Sequence, residues 1–201
     1  MRALRSAALF VALAGIAAAQ TPVTVGIPTA QFNFASAAQL QTEWCWAASV
    51  QMVLNWYNVP VKQVDVVERI YGKPIDEAAT EDAIRVALSG TAYDRKGHKV
   101  TMHADRRLGA PSAQLLISQM NEQRPMLITV HSTKKMLHAV VLTSAEYVGS
   151  GKDAHITALT FRDPNPVFKD RRAARTIRLT GPQLARFART ISSYYLLTIK
   201  S

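Results

Sequence analysis

Cysteine is almost absent from this sequence: among its 201 residues, Cys45 is the single one. One thiol cannot form a disulfide within the chain, so Cys45 is a buried passenger, an intermolecular link or a reactive thiol. The five histidines are scattered, and with no second cysteine they show no metal-binding spacing. We expect no metal and no cofactor.

A long apolar run is missing beyond the N-terminus. The chain starts with Arg2 and Arg5, continues with an apolar stretch over 7–18, and reaches small residues before Gln20. This layout is that of a secretory signal peptide, which predicts cleavage after Ala19, a mature domain over 20–201, and export to the periplasm or the medium. The alternative is an uncleaved membrane anchor, but the run falls short of the ~20 residues that span a bilayer.

Acidic residues are scarce relative to basic ones, and the formal net charge is +10. Much of the excess lies in the C-terminal region, at Lys169, Arg171, Arg172, Arg175, Arg178, Arg186 and Arg189. Such a region is either a solvated face or a weak contact for an anionic surface. Aromatic residues do not alternate regularly with these basic residues and there is no zinc-finger spacing, which argues against a nucleic-acid partner. These features do not predict the oligomeric state.

Helix signals dominate the first half of the chain. After an extended lead-in over 21–38, the pattern predicts helices over 45–58, 61–71 and 76–88, and a fourth that Ser112 caps. The stretch 90–111 is polar and predicts an irregular crossover with one short strand over 99–103.

Strand signals dominate the second half. Apolar and β-branched runs predict strands over 125–131, 137–148, 154–162 and 191–200, with a short helix over 180–189. Helices followed by antiparallel strands predict an α+β domain of two lobes with a cleft between them.

Cys45 begins a run that is apolar on almost every side and therefore predicts a buried helix. The positive end of a helix dipole favours thiolate over thiol, so this position suits a nucleophile. Gln39, six residues earlier, can offer an amide N–H to a developing oxyanion, and Gln41 is the rival donor.

A cysteine nucleophile needs a base, and the base needs an orienting group. His138 opens a strongly apolar strand, whereas four other histidines lie in polar stretches or at strand ends: His98, His103, His131 and His155. If the hairpin turn centres between Ser150 and Gly151, His138 faces Asp163 across the sheet. The carboxylate would then accept the Nδ1–H and leave Nε2 to face the thiol, although a one-residue slip would reverse the face.

Each of these residues has an ordinary structural explanation. Cys45 could be a passenger, His138 a satisfied core histidine, and Asp163 part of an Asp-Pro turn. Their combination favours catalysis: thiolate attack on a carbonyl, oxyanion stabilisation by the Cys45 N–H and a glutamine amide, and hydrolysis of the resulting thioester.

These residues resemble the papain-like cysteine peptidases, over roughly residues 39–166. The resemblance lies in a Gln-x-x-x-x-Trp-Cys-Trp-Ala-Ala segment over 39–48 and in the order Cys, His, Asp, and it is strongest with compact bacterial members. It implies the papain-like two-lobed fold, with a helical N-terminal lobe around a central catalytic helix and an antiparallel β C-terminal lobe. It also implies Gln39 as the oxyanion donor, Asp163 rather than Asn165 as the third residue, and a protein or peptide substrate.

Departures from the family leave alternatives. His138 follows Cys45 by 93 positions, against ~130–150 in plant and lysosomal members, and the Cys-Gly lead-in is missing. The main hypothesis is a secreted thiol peptidase. The alternatives are an acyltransferase on the same residues, in which an amine takes the thioester, and a binding module without turnover.

Overall fold

The computed structural model describes residues 20–132, 136–167 and 170–200, with no side chains described for the strand residues among 166–173. The predicted signal peptide and Lys169 lie outside the described residues, as do the side chains of Arg171 and Arg172. Within the described part, no helix is long and apolar enough to cross a membrane.

Strands contain more of the described residues than helices do. The helices are α1 (Thr29–Phe32), α2 (Cys45–Trp56), α3 (Gln63–Tyr71), α4 (Glu81–Ala87), α5 (Ala113–Asn121) and α6 (Gly181–Thr190). The strands are β1 (Val23–Gly26), β2 (Gly90–Tyr93), β3 (Lys99–Leu108), β4 (Met126–His131), β5 (Leu137–Val148), β6 (His155–Val167), β7 (Asp170–Thr180) and β8 (Ile191–Lys200).

One antiparallel sheet contains all of these strands. Its order is β2-β3-β8-β4-β5-β6-β7, and β1 pairs with the second half of β5, beyond the part of β5 that pairs with β4. The predicted α+β class with antiparallel strands is therefore confirmed.

Alternating residues of β4 and β5 divide the core into two clusters, one on each face of the sheet. Leu127, Ala139 and Val141 pack in the cluster that contains α2, α3 and α4. Ile128, Val140 and Leu142 pack in the cluster that contains residues of α5 and α6. Helix α2 is buried along most of its length, as its all-round apolar sequence predicts.

Several predicted elements are confirmed. The strand predicted over 137–148 is β5, and the helix predicted from Cys45 is α2. Ser112 caps α5, with its hydroxyl accepting the Leu115 N–H at 3.3 Å. Gly72 ends α3 in the left-handed conformation, at φ 74°.

The predicted irregular crossover over 90–111 is wrong. β2 and β3 form a hairpin there, and β3 runs to Leu108, so the first half of the chain is not purely helical. In β3, Val100, Met102 and Ala104 are buried while Thr101 and His103 between them are exposed, which is the period-two alternation of a half-buried strand. β7 is a further strand that the pattern does not predict.

The third helix also starts later than predicted. It begins at Glu81 rather than Asp76, because the Thr80 hydroxyl accepts the Ala83 N–H and caps it there. Residues 73–80 form a loop instead, and that loop becomes a wall of the site described below.

Candidate active site

Cys45 is the first residue of α2 and is half-buried. The residue before the helix, Trp44, makes no side-chain cap hydrogen bond. The N–H groups of a first helical turn have no partner within the helix. The thiol therefore lies at the positive end of the helix dipole.

Trp44 and Trp46 flank the thiol and fix the loop over residues 73–80. The Trp44 indole N–H donates to the Ile75 carbonyl at 2.8 Å, and that of Trp46 donates to the Glu77 carbonyl at 3.1 Å. The Tyr71 hydroxyl donates to the Ala78 carbonyl at 2.7 Å. We name this loop, residues 73–80, the wall loop.

Ser49 joins α2 to the strand that carries His138. Its buried hydroxyl donates to the Ala139 carbonyl at 3.1 Å. Residues four apart on a helix lie on the same face, so Cys45 faces the same strand as Ser49. The four-residue spacing of Ser49 from Cys45 is the sequence signal that could have indicated this contact.

His138 and Asp163 meet as an ion pair, with 2.8 Å between His138 Nε2 and Asp163 Oδ1. The predicted register, however, is wrong. Val141 of β5 pairs with Arg162 of β6. The turn between the two strands contains a 3-10 helix over Gly151–Asp153 and is longer than predicted, so β6 starts later in the chain than predicted. The offset from the prediction is two residues at this end of the ladder, and an even offset keeps both side chains on the same face.

The imidazole is oriented in the opposite sense to the prediction. Nε2, not Nδ1, contacts the carboxylate. With the two-residue offset, His138 and Asp163 are diagonal neighbours on adjacent strands and not directly opposed. Diagonal residues are separated by ~7–8 Å, whereas directly opposed residues are separated by ~5 Å. The more distant ring nitrogen of His138 therefore makes the contact. Nδ1 is left to face the thiol.

The surroundings of His138 favour its protonated form. Burial lowers its pKa, but hydrogen bonds with Asp163 and Cys45 and the charges of both partners outweigh burial and raise the pKa to about 9. His138 is therefore an imidazolium at neutral pH and is hydrogen-bonded to both Cys45 and Asp163. In this arrangement a proton can move between the sulfur and the imidazole nitrogen.

Asp163 is itself held in place. Its Oδ1 accepts the Asn165 backbone N–H at 3.0 Å in addition to the imidazole N–H. Burial raises the pKa of Asp163, but the bonds from His138 and Asn165 outweigh it and keep that pKa below its ordinary value. Asn165, the competing third residue, contributes its backbone here.

Gln39 lies next to the Asp163 end of β6, because its backbone N–H donates to the Pro164 carbonyl at 2.8 Å. Its side-chain Nε2 donates to the carbonyls of Gln41 at 3.0 Å and Thr42 at 2.6 Å. An amide nitrogen has two N–H groups, so donation to an oxyanion replaces one of these loop bonds. The Gln41 side chain is exposed.

A cleft of about 310 Å³ adjoins the thiol, with Cys45, Trp46, Thr80, Thr129 and Ala139 among its lining residues. A larger cavity of about 580 Å³ lies on the other face of the sheet, between α5 and α6. That cavity is lined by apolar residues with a threonine and carries no nucleophile or titratable group. The chemistry therefore belongs to the smaller cleft.

The other histidines stay apart from this cleft. All four are exposed, and His98 contacts Asp94. In the described part of the chain, no three histidine, cysteine or carboxylate side chains come together to hold a metal ion.

A helix-start cysteine packed against an antiparallel sheet, with a histidine–aspartate pair on that sheet, defines a papain-like cysteine peptidase. The chain belongs to the Peptidase_C39 like family, whose model matches residues 31–181. The resemblance predicted from the sequence is thereby confirmed.

Among solved structures, the chain is similar to the peptidase domain of Streptococcus ComA, a bi-functional ABC transporter involved in a quorum-sensing pathway. The TM-score is 0.52 at 15% identity, over 82% of this chain and 96% of that chain. At this identity the likeness concerns the fold. No curated protein matches the sequence.

Proposed function

We propose that this protein hydrolyses peptide bonds through Cys45, His138 and Asp163, with Gln39 as an oxyanion donor. The observation that carries the proposal is the 2.8 Å contact of His138 with Asp163, on an imidazole that also hydrogen-bonds with Cys45. The papain-like division into two lobes around the cleft is part of the same proposal.

The reaction begins after the thiol proton of Cys45 has moved to His138, which gives a thiolate and an imidazolium. The Cys45 thiolate attacks the substrate carbonyl carbon, and the carbonyl electrons move to an oxyanion that the Cys45 N–H and the Gln39 amide stabilise. One such donor typically contributes ~3 kcal/mol to transition-state stabilisation.

Collapse of this intermediate breaks the C–N bond, and the imidazolium protonates the leaving amine. A water molecule then loses a proton to His138 and attacks the thioester. The products are a carboxylic acid and the restored thiol, so no external oxidant or reductant is required.

The compartment and partners belong to the proposal as well. The signal-peptide pattern supports export of a mature domain that starts at Gln20, in a bacterial periplasm or medium, and the expected partner is a protein or peptide substrate. For the basic C-terminal region we propose at most weak contact with anionic surfaces, since Arg178 already pairs with Glu146 at 2.6 Å.

The test compares mature wild-type protein with Cys45→Ala. Iodoacetamide near neutral pH should modify the wild type at Cys45, as peptide mass mapping would show. Cys45→Ala should lose turnover of a peptide amide library by about 10³-fold or more. Unchanged turnover in Cys45→Ala would exclude the proposed nucleophile.

A second measurement separates hydrolysis from acyl transfer. The same reaction run with excess free amine should still give the carboxylic acid as its main product. Dominant formation of the new amide would assign the protein to acyl transfer instead.

A further inference from the structure

Gln63 is a buried amide that the mechanism above does not use. It is the first residue of α3 and only 2% exposed. A glutamine is rarely so buried unless its polar atoms are all satisfied. The identity of its partners therefore indicates what it does.

The Gln63 side chain bonds to the backbone on both sides of Gln39. Its Oε1 accepts the Leu40 N–H at 2.9 Å, and its Nε2 donates to the Ala38 carbonyl at 2.8 Å. A backbone N–H can only donate and a carbonyl can only accept, so these contacts determine which way the amide is turned.

Two further hydrogen bonds connect Gln63 and Gln39 to the elements that carry Cys45 and Asp163. The second N–H of Gln63 donates to Gln51 Oε1 at 3.0 Å, and Gln51 belongs to the helix that begins with Cys45. On the other side, the Gln39 N–H donates to the Pro164 carbonyl, next to Asp163. The Gln39 backbone is thus held between α3 and the end of β6.

We propose that Gln63 is a positioning residue for oxyanion stabilisation: it fixes the backbone on both sides of Gln39 and so holds the Gln39 amide beside Cys45. This inference rests on the proposed function, because it assigns Gln63 to a step of that reaction. Its effect should fall on acyl transfer and not on the reactivity of the thiol.

The test uses Gln63→Met, which keeps the length of the side chain and removes its hydrogen bonds, with Gln51→Met as the matched control. Both variants remove the bond between Gln63 and Gln51, but only Gln63→Met removes the two bonds that flank Gln39. If Gln63→Met does not fold, Gln63→Glu replaces it, since a carboxylate keeps the acceptor for Leu40 and loses the donor for Ala38.

Two probes separate positioning from general damage. Acylation by p-nitrophenyl acetate passes through an oxyanion, whereas alkylation by iodoacetamide does not. In Gln63→Met we expect the acylation burst to slow by about 10- to 100-fold, as for a small misplacement of a reacting group, while alkylation of Cys45 stays within about twofold of wild type. Gln51→Met should remain close to wild type in both.

A double-mutant cycle with Gln39→Ala tests the route of the effect. If Gln63 acts through Gln39, Gln63→Met should slow acylation little further in the Gln39→Ala background. Equal acylation in wild type and Gln63→Met, a parallel loss of alkylation, or an undiminished effect in the Gln39→Ala background would each overturn the proposal.

Hydrogen exchange keeps the inference separate from the proposed function. If the wild type shows no burst with p-nitrophenyl acetate, the proposed function fails, and Gln63 is judged by exchange alone. The Gln39 and Leu40 amides should exchange faster in Gln63→Met than in Gln51→Met. Equal exchange in the two variants would overturn the positioning role.

Discussion

His138 has a different partner at each ring nitrogen. Asp163 accepts from Nε2, which leaves Nδ1 for the hydrogen bond with Cys45, so the carboxylate fixes the orientation of the ring. The bond from the Asn165 N–H limits rotation of the carboxylate in turn. Each group is thus oriented by the next, which is what a base needs in order to meet a nucleophile in a defined geometry.

Replacement of Asp163 by asparagine tests this chain of contacts. In Asp163→Asn the side-chain amide oxygen would still accept the Nε2–H but would carry no charge, so the pKa of His138 should fall from about 9 toward its ordinary value of 6.5. Titration of the His138 ring signals by NMR in the wild type and in Asp163→Asn measures this directly. An unchanged His138 titration would contradict the role of the carboxylate.

At the scale of elements, the two tryptophans connect α2 to the wall of the cleft beside Cys45. Their indole N–H groups donate to the carbonyls of Ile75 and Glu77 in the wall loop. Trp46 also packs edge-to-face with Tyr71, with 6.1 Å between the two ring centroids. Ala78, Ala79 and Thr80 of the same loop line the cleft. The conformation of the cleft wall therefore depends on residues that flank Cys45.

Trp46→Phe should loosen the wall loop. The substitution leaves the Glu77 carbonyl without its donor, at a cost of about 1 kcal/mol in the free energy of unfolding, plus lost packing. Hydrogen exchange over the wall loop should become faster, and KM for a peptide amide should rise more than kcat falls.

Trp56→Phe is the matched control for this prediction. It removes an equivalent bond, from the indole to the Gln123 carbonyl at 2.9 Å, at the other end of α2. At 1.5 Å per residue that end lies about 16 Å from Cys45. Equal changes of wall-loop exchange in both variants would show that Trp46 has no special role there.

Elements with a strong apolar pattern were predictable from the sequence, and elements set by distant contacts were not. The all-round apolar run predicts α2, and the β-branched run predicts β5 to the residue. The conformation of the wall loop depends on bonds from Trp44 and Trp46, which lie about 30 positions earlier. No local pattern encodes such contacts.

At the scale of the whole molecule, the site depends on how strands are aligned. The prediction placed His138 directly opposite Asp163, and the true ladder is offset by two residues. The residues meet because period-two alternation returns them to the same face. Alignment could not be predicted to this accuracy, since the length of the turn after Val148 is set by the 3-10 helix at Gly151–Asp153.

The ion pair should also shape the stability of the whole protein against pH. The pKa of His138 is raised from 6.5, its ordinary value in the unfolded chain, to about 9. Its contribution to the free energy of unfolding is therefore full below pH 6.5 and is lost as the pH rises through about 9. Asp163 has a lowered pKa, so its contribution is present above 3.8 and is lost as the pH falls.

Urea unfolding from pH 4 to pH 10 should therefore show a decline between pH 6.5 and 9, of at most about 3 kcal/mol for His138. Asp163→Asn should flatten this decline, because the carboxylate that favours the imidazolium is gone. His98→Gln, which alters an exposed histidine also paired with an aspartate, should preserve it. If Asp163→Asn keeps the full decline, or if His98→Gln removes it, the pH dependence originates outside the His138–Asp163 pair.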